Sequence, residues 1–592
     1  MQREIIPELP DLWFDENKIP KSNRFSDSYY SKSGGYEEAK LVYLGGCGLP
    51  SAWQNEDDFT IAELGFGTGL NFLSTWELWN ERKPETGVLH FVSFEQFPMQ
   101  ANDCAKALEN WPQLDALSKQ LLAKWPKRVN GQQRIWFPKD KICLTLVVGD
   151  AANTLPQQDF KANAWFLDGF SPKTNPELWS TEVLGEVRRL SNANARIGTY
   201  SVARLVRDNL QREGFKVRKC AGFGNKRDRL EAWLESENQT TQPTKPKNAI
   251  IIGGGIAGSA MAFALAKRGV KCTIIDNDKA GAIKASNNPA GLIMPRLDRL
   301  NSVEARFFRA AYIDALRTLS DLGEGCFAQT GVIEQPRSER DKDKFKQFEI
   351  DAPLPPEMLG FEDGTLLHRN GGIVYPAKIL AAMGQGAEKI HCQIAKIENC
   401  DNGQFQALAD NNEVVATADI CIVANGQGIG AFLDAGEYAL EGRAGVVSFA
   451  QAKWPKGKIP IGGKSYCLPH ADGILFGATF VPQKLDAAAA IAADSHERNH
   501  ELLSESSPAL ASEIDSQVVT GRASMRVVAK DRLPIAGQFS TKSGLYVLGA
   551  LGSRGFSTAT ICAEIIASSA CNDPMPIERE LSALISPMRF GK

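Results

Sequence analysis

The stretch from residue 249 to 276, AIIIGGGIAGSAMAFALAKRGVKCTIID, constrains the chain more than any other, because it reads as strand, phosphate turn, helix and second strand in unbroken succession. Ala249 to Ile252 form an apolar run suited to a buried parallel strand. Gly253, Gly255 and Gly258 then fill the three glycine positions of G-x-G-x-x-G. The first permits the tight turn, the second lets backbone N–H groups approach a pyrophosphate at the helix N-terminus, and the third brings the helix against the strand. Val270 to Ile275 supply the second strand, and Asp276 stands at its end, where a carboxylate accepts hydrogen bonds from ribose hydroxyls. A nucleotide-binding α/β unit follows, and the glycines alone suit NAD as well as FAD.

At 592 residues the chain is too long for one ordinary core. A hydrophobic content of 43% with 23% charged residues is that of a globular protein. No apolar run approaches the roughly 20 residues that span a bilayer, and the N-terminal MQREIIPELPDLWFDENK lacks a signal-peptide core, so a cytoplasmic location without membrane contact is expected. The 12 cysteines are scattered without a C-x-x-C, which argues against a disulfide framework. A net charge of −3 excludes a uniformly basic protein and leaves room for a local patch that meets an acidic partner.

The first half carries a second glycine-rich turn of another kind. Phe59 to Leu64 make a strand that runs into GFGTGLNF, with Gly65, Gly67 and Gly69 in the turn and Glu63 just before it. This E-L-G-F-G-T-G-L-N pattern resembles the turn with which class I methyltransferases cradle the amino-acid part of S-adenosylmethionine. A helix from Leu70 to Trp79 follows, then a strand at 89–98 with Glu95 near its end, placed for ribose hydroxyls. After an interval of helices, CLTLVVGDA at 143–151 ends in Asp150, placed for adenine, and AWFLDGF at 164–170 ends in Asp168, where a methyl acceptor enters. Four strands thus deliver polar groups to one edge of a sheet, the edge where open α/β sheets bind ligands. The DGFSP turn suits an amine acceptor whose proton is drawn off, since a nitrogen must expose its lone pair before it attacks a methyl sulfonium, and an oxygen or carbon acceptor fits the same logic.

Between 196 and 229 the chain is rich in Arg and Lys: Arg196, Arg204, Arg207, Arg212, Lys216, Arg218, Lys219, Lys226, Arg227 and Arg229. Such a run is ordinarily a solvated face. ESENQTTQPTKPK at 235–247 is polar, aperiodic and proline-containing, which marks a linker. The expected organisation is a unit at 1–234, the linker at 235–247 and a second unit at 248–592. Within the second unit, ASNNPAGLIMPRLD at 285–298 reads as a covering loop, DICIVANGQ at 419–427 as a strand returning to the nucleotide-binding sheet, 442–480 as antiparallel strands, and 544–567 as strand, glycine-rich turn and helix. His496 to His500 spell H-E-x-x-H, but their polar surroundings point to a solvated helix rather than a zinc site.

Taken together, ELGFGTGLNF, FEQFP and WFLDGFSPKTNPELW, followed by IIGGGIAG, resemble the bifunctional family of tRNA 5-methylaminomethyl-2-thiouridine biosynthesis, over nearly the whole chain. The resemblance implies a class I methyltransferase Rossmann-like domain followed by an FAD-binding Rossmann domain of the glycine/sarcosine oxidase type, with an inserted antiparallel-sheet substrate subdomain. It implies FAD and S-adenosyl-L-methionine as cofactors and the tRNA anticodon arm, with its wobble uridine, as partner; no protein partner is evident. The oxidoreductase would remove the carboxymethyl group of 5-carboxymethylaminomethyl-uridine as glyoxylate, and the methyltransferase would methylate the exposed amine, with Asp168 as its base. In the glycine and sarcosine oxidases a strand bearing an arginine, then an acid and a proline, faces the flavin; SMRVVAKDRLPIAG at 524–537 supplies Arg526, Asp531 and Pro534. Arg526 would clamp the substrate carboxylate, and Gly552, Ser553, Arg554 and Gly555 would lie by the flavin ring, Arg554 serving equally well as a helix-cap partner. Met525 and Val527 depart from the residues those oxidases often carry. The basic run at 196–229 would then meet anticodon-arm phosphates. Two rivals predict different outcomes: a fused amine oxidase and methyltransferase acting on free metabolites would oxidise sarcosine or glycine without tRNA, and a scaffold holding FAD would not turn over.

Overall fold

The computed structural model describes residues 5–31, 34–54, 56–224, 226–235, 244–277, 284–432, 438–471, 473–485, 487, 489–514, 519–539 and 543–590. Most of the expected linker, residues 236–243, lies outside the described residues. The chain divides into two compact units. One comprises residues 4–244 together with the returning segment 572–579, and the other residues 1–3, 245–571 and 580–592. Among the described residues no helix is long and apolar enough to cross a membrane.

The first unit is built on an eight-stranded sheet. At its centre Asp58–Leu64 pairs in parallel with Val88–Glu95 on one side and Ala162–Leu167 on the other, and Ile142–Val148 extends the parallel set beyond Val88–Glu95. These strands are buried along almost their whole length, which is why they read as continuous apolar runs rather than alternating ones. Gly131–Phe137 adds an antiparallel edge strand within the interval read from sequence as helical. The helix after the glycine turn runs from Leu70 to Arg82, burying Leu70, Leu73 and Trp76 at helical spacing against the sheet. It stops there because Lys83 precedes Pro84 and is driven into extended backbone, φ −68° and ψ 152°.

The returning segment forms part of this unit. Gln132 Nε2 donates to the Met575 carbonyl at 3.2 Å and Arg134 donates to the Pro574 carbonyl. His90, buried, lies 3.4 Å from the Asp573 carboxylate. Burial opposes the charged imidazole, but the Asp573 carboxylate outweighs it and His90 is raised to about 9.

The second unit holds a six-stranded sheet in which Glu388–His391, Lys271–Asp276, Asn248–Ile252, Ile420–Val423 and Leu545–Gly549 run parallel, in that order, and Ile535–Gln538 closes the edge antiparallel. The strand expected to return near 419–427 therefore pairs directly beside Asn248–Ile252. The helix Ile256–Ala266 is apolar on all sides and buried accordingly, packed between the sheet and the helix Gly555–Cys571. A nine-stranded, largely antiparallel sheet lies beside this core. Its longest pairing sets Leu440–Ala450 against Thr520–Ala529, placing Arg443 opposite Arg526. The H-E-x-x-H residues lie on the helix Ser495–Ser506, with His496 Nδ1 2.8 Å from Ser448 Oγ and His500 Nε2 3.1 Å from the Ala511 carbonyl.

The two packed helices are joined by buried charge. Arg268 donates to Glu564 at 2.9 Å, to Ser568 Oγ at 3.1 Å and to the Ala264 carbonyl at 2.8 Å, and Lys267 reaches the other Glu564 oxygen at 3.1 Å. Removing the acid takes away the carboxylate that the two cations share. Glu564→Ala is expected to destabilise this unit by about 3–5 kcal/mol, read from the urea midpoint at which bound flavin is released. A midpoint unchanged from wild type would show that Arg268 is satisfied without Glu564.

Candidate active sites

In the first unit the polar ends of the central strands converge as one network. Gly65, at φ +92°, passes so close to the neighbouring strand end that a Cβ would lie 3.0 Å from the Asp168 carbonyl oxygen. Only glycine fits there without displacing backbone. Gly67 and Gly69 continue the turn, and the Gly67 N–H donates to Glu95 Oε2 at 2.9 Å while Glu95 Oε1 accepts from Phe97 N at 2.8 Å. Glu95 thereby ties the turn to the end of its own strand. Asp150 caps the short helix Ala151–Thr154 by accepting from Ala152 N at 2.9 Å.

Glu63 is fully buried beside Ser93, its register partner on the adjacent strand, with Ser93 Oγ 2.6 Å away. The Asn71 amide nitrogen bridges Glu63 Oε1 and Asp168 Oδ2, at 2.9 Å from each. Burial pushes Glu63 up to about 8, so it is neutral at pH 7. Burial also pushes Asp168 up, but hydrogen bonds from the Tyr43 hydroxyl, the Gly169 N–H and Asn71 hold it to about 6. Two carboxyl groups sharing one amide are thus both raised by burial, Glu63 further than Asp168.

Sequence reasoning passed over Asn71, Tyr43 and the aromatic segment before residue 31. Asn71 was legible as the last letter of G-T-G-L-N; the others arrive from a distance. Phe25 stacks on Phe170 at 4.6 Å, Tyr29 meets Phe170 edge-on at 5.1 Å, and Asp27 accepts from Ser171 N at 3.1 Å, so this segment packs on the DGFSP turn.

In the second unit a cavity of about 1530 Å³ opens along the first glycine turn. It exceeds the roughly 300–1,000 Å³ of ordinary small-molecule pockets and so has room for a dinucleotide and a substrate together. Gly253, Gly255 and Asp276 line it; Gly258 does not, because it lies where a Cβ would meet the Gly253 carbonyl oxygen at 1.8 Å, packing helix on strand. Asp276 accepts from Gly254 N and from Lys284. The loop after residue 284 borders the cavity and is held by Arg522, which donates to Asn288 Oδ1 at 2.8 Å and the Lys284 carbonyl at 2.6 Å.

Gly552, Ser553, Arg554 and Gly555 line the same cavity, with the Arg554 guanidinium 5.8 Å from the centre of the Phe308 ring. Arg526 lines it too. Its opposite number Arg443 is paired with Glu441 at 2.6 Å, whereas among the described residues Arg526 has no ion pair. Burial lowers the Arg526 guanidinium from its ordinary value, partly offset by Tyr466. Pro534 also borders the cavity, but Asp531 points elsewhere and pairs with Arg589 at 2.7 Å.

The basic run at 196–229 is less free than its composition suggests. Arg204 and Arg207 pair with Asp208, Arg218 and Arg229 with Glu231, Lys216 with Glu235, and Lys226 with Glu38. Arg196, Arg212, Lys219 and Arg227 are exposed and carry no ion pair among the described residues.

A glycine turn beside a buried carboxylate, and a large cavity along a G-x-G-x-x-G turn lined by an arginine with no ion pair among the described residues, are the features expected of a methyltransferase joined to a flavin oxidoreductase. Models of protein families agree, matching an S-adenosyl-L-methionine-dependent methyltransferase over residues 112–235 and an FAD dependent oxidoreductase over residues 248–569. The tRNA 5-methylaminomethyl-2-thiouridine biosynthesis bifunctional protein of Caulobacter vibrioides is 36% identical over 98% of this chain and 97% of its own length. The protein of the same name from Thiobacillus denitrificans is 32% identical over 100% of this chain and 99% of its own. The chain belongs to this bifunctional tRNA 5-methylaminomethyl-2-thiouridine biosynthesis family.

Proposed function

We propose that the two sites act in sequence on one wobble uridine of tRNA, the second unit converting 5-carboxymethylaminomethyl-uridine to 5-aminomethyl-uridine and the first methylating the product. The observation that carries the reading is Arg526, a guanidinium lining the cavity with no ion pair among the described residues. The carboxymethylamino group is an N-substituted glycine, and its carboxylate matches the planar fork of an arginine. FAD, when bound, supplies the two-electron oxidation. Arg526 then serves to fix the glycine-like carbon in one orientation while the C–N bond becomes C=N; water splits that bond into the amine and glyoxylate. Gly253, Gly255 and Asp276 are the residues suited to the dinucleotide, and Gly552, Ser553, Arg554 and Gly555 to the ring end of the cavity.

In the first unit Gly65, Gly67, Gly69, Glu95 and Asp150 are suited to S-adenosylmethionine. Glu63 supports them from beneath the turn. Asp168 takes the proton of the attacking amine, because a carboxylate near 6 is ionised at neutral pH yet still basic enough to accept it. Arg196, Arg212, Lys219 and Arg227, exposed and without an ion pair among the described residues, are better candidates for anticodon-arm phosphates than the paired members of the run. Mass analysis of wobble nucleosides tests the sequence. Incubation of carboxymethylaminomethyl-tRNA without S-adenosylmethionine is expected to yield aminomethyl-uridine and glyoxylate, and with it methylaminomethyl-uridine. Unchanged wobble nucleoside, with free sarcosine oxidised instead, would overturn the reading.

A further inference from the structure

Phe480 is the one large hydrophobic side chain, among the described residues, that both lines the FAD cavity and stands strongly exposed, at 46%. Its backbone is fixed on both sides. Val446 N donates to Thr479 Oγ1 at 2.9 Å, Thr479 N donates back to the Val446 carbonyl at 3.3 Å, and Val481 pairs with Ala444 in the sheet. A ring on a backbone tethered on both sides is held in one place, which is the form of a preorganised contact surface. The guanidinium carbons of Arg443 and Arg526 each lie 5.8 Å from the ring centre. Phe480 thus stands beside the arginine assigned to the substrate carboxylate.

We infer that Phe480 is the platform on which the pyrimidine ring of the target nucleotide stacks, once that nucleotide is turned out of the anticodon loop, so that its 5-substituent reaches Arg526. This rests on the oxidation proposed for the second unit and names how that site takes a nucleotide rather than a free amino acid. Single-stranded RNA is read in this way, by unstacked bases laid on aromatic side chains. From C5 of the base through methylene, nitrogen and methylene to the carboxyl carbon is four bonds, on the order of 5 Å when extended, a reach that carries the carboxylate beyond the edge of the stacked base. Every base has a π-face, so the platform supplies position; the arginine supplies recognition of the modification.

The test uses the full-length flavoenzyme and anaerobic flavin bleaching by tRNA bearing 5-carboxymethylaminomethyl-uridine, with Phe480→Ala, Phe480→Leu and Phe480→Trp. A loss of roughly 10- to 100-fold in kcat/KM is expected for the Ala and Leu variants, with Trp returning to within about threefold of wild type. Methyl transfer to aminomethyl-tRNA and the bound-flavin spectrum should be unchanged in all three. An Ala variant as active as wild type, or a Leu variant that rescues as well as Trp, overturns the platform, the latter by showing that the ring merely packs the arginines. An altered flavin spectrum or loss of flavin in the Ala variant overturns it by assigning the ring to the cofactor. If wild-type flavin itself is not bleached by the modified tRNA, the proposed oxidation fails, an outcome separate from any variant.

Discussion

Replacing Arg526 by alanine is expected to lower kcat/KM for oxidation of carboxymethylaminomethyl-tRNA by roughly 10²–10³-fold, while methyl transfer to aminomethyl-tRNA continues at the wild-type rate. The size follows from what the residue does. A carboxylate held by a guanidinium would have its neighbouring carbon fixed for oxidation, and a displacement of about 1 Å from that position costs on the order of 10²-fold. Arg526→Lys keeps the charge but not the two-pronged geometry, so partial activity with a raised KM is expected. Arg443 cannot substitute, because its charge is already committed to Glu441. The measurement is rapid-mixing flavin bleaching with the modified tRNA, and an Arg526→Ala enzyme that bleaches at the wild-type rate would remove the clamp from the mechanism.

Asp168→Asn is expected to reduce methyl transfer by about 10²–10⁴-fold, the range for loss of a general base, and to leave flavin bleaching intact. The pH dependence adds a second signature. Burial, opposed by Tyr43, Gly169 and Asn71, holds Asp168 at about 6. The protonated acid is inert and the carboxylate competent, so single-turnover methyl transfer should rise with pH through about 6 and level off above it. Asn71→Ala removes a hydrogen bond that favours the carboxylate, which should move that limb to higher pH. A wild-type profile flat through this range would show that the carboxylate does not work as a base.

Much of this was legible in the sequence because the chemistry demanded small residues at fixed spacing. Gly253 and Gly258 have no substitutes, since a Cβ would lie 2.5 Å from the Ala424 carbonyl oxygen at the first and 1.8 Å from the Gly253 carbonyl oxygen at the second, and the glycine turn after Leu64 announced its own sheet. What stayed hidden was tertiary. Nothing in ELGFGTG says that Glu63 points under the turn to Ser93, since a strand read on paper has two faces and burial chooses between them. Asp531 shares a motif with Arg526, but its partner Arg589 comes from the far end of the chain. Charge counting overstated the basic run, whose acids Glu38, Asp208, Glu231 and Glu235 lie among or away from the cations they neutralise. Phe480 carried no motif at all; an aromatic residue becomes notable only when it is left uncovered.

The returning segment 572–579 bears on how the protein is born. A nascent chain folds its units as they leave the ribosome, the N-terminal one first. Here Gln132, Arg134 and His90 must wait for Met575, Pro574 and Asp573, which are translated only after the helix Gly555–Cys571. At about 5–20 residues per second that interval is on the order of tens of seconds. The methyl-transfer unit therefore reaches its finished form only near the end of synthesis although it is begun first, and a chain cut short before residue 572 lacks a piece of the unit it has nominally already encoded.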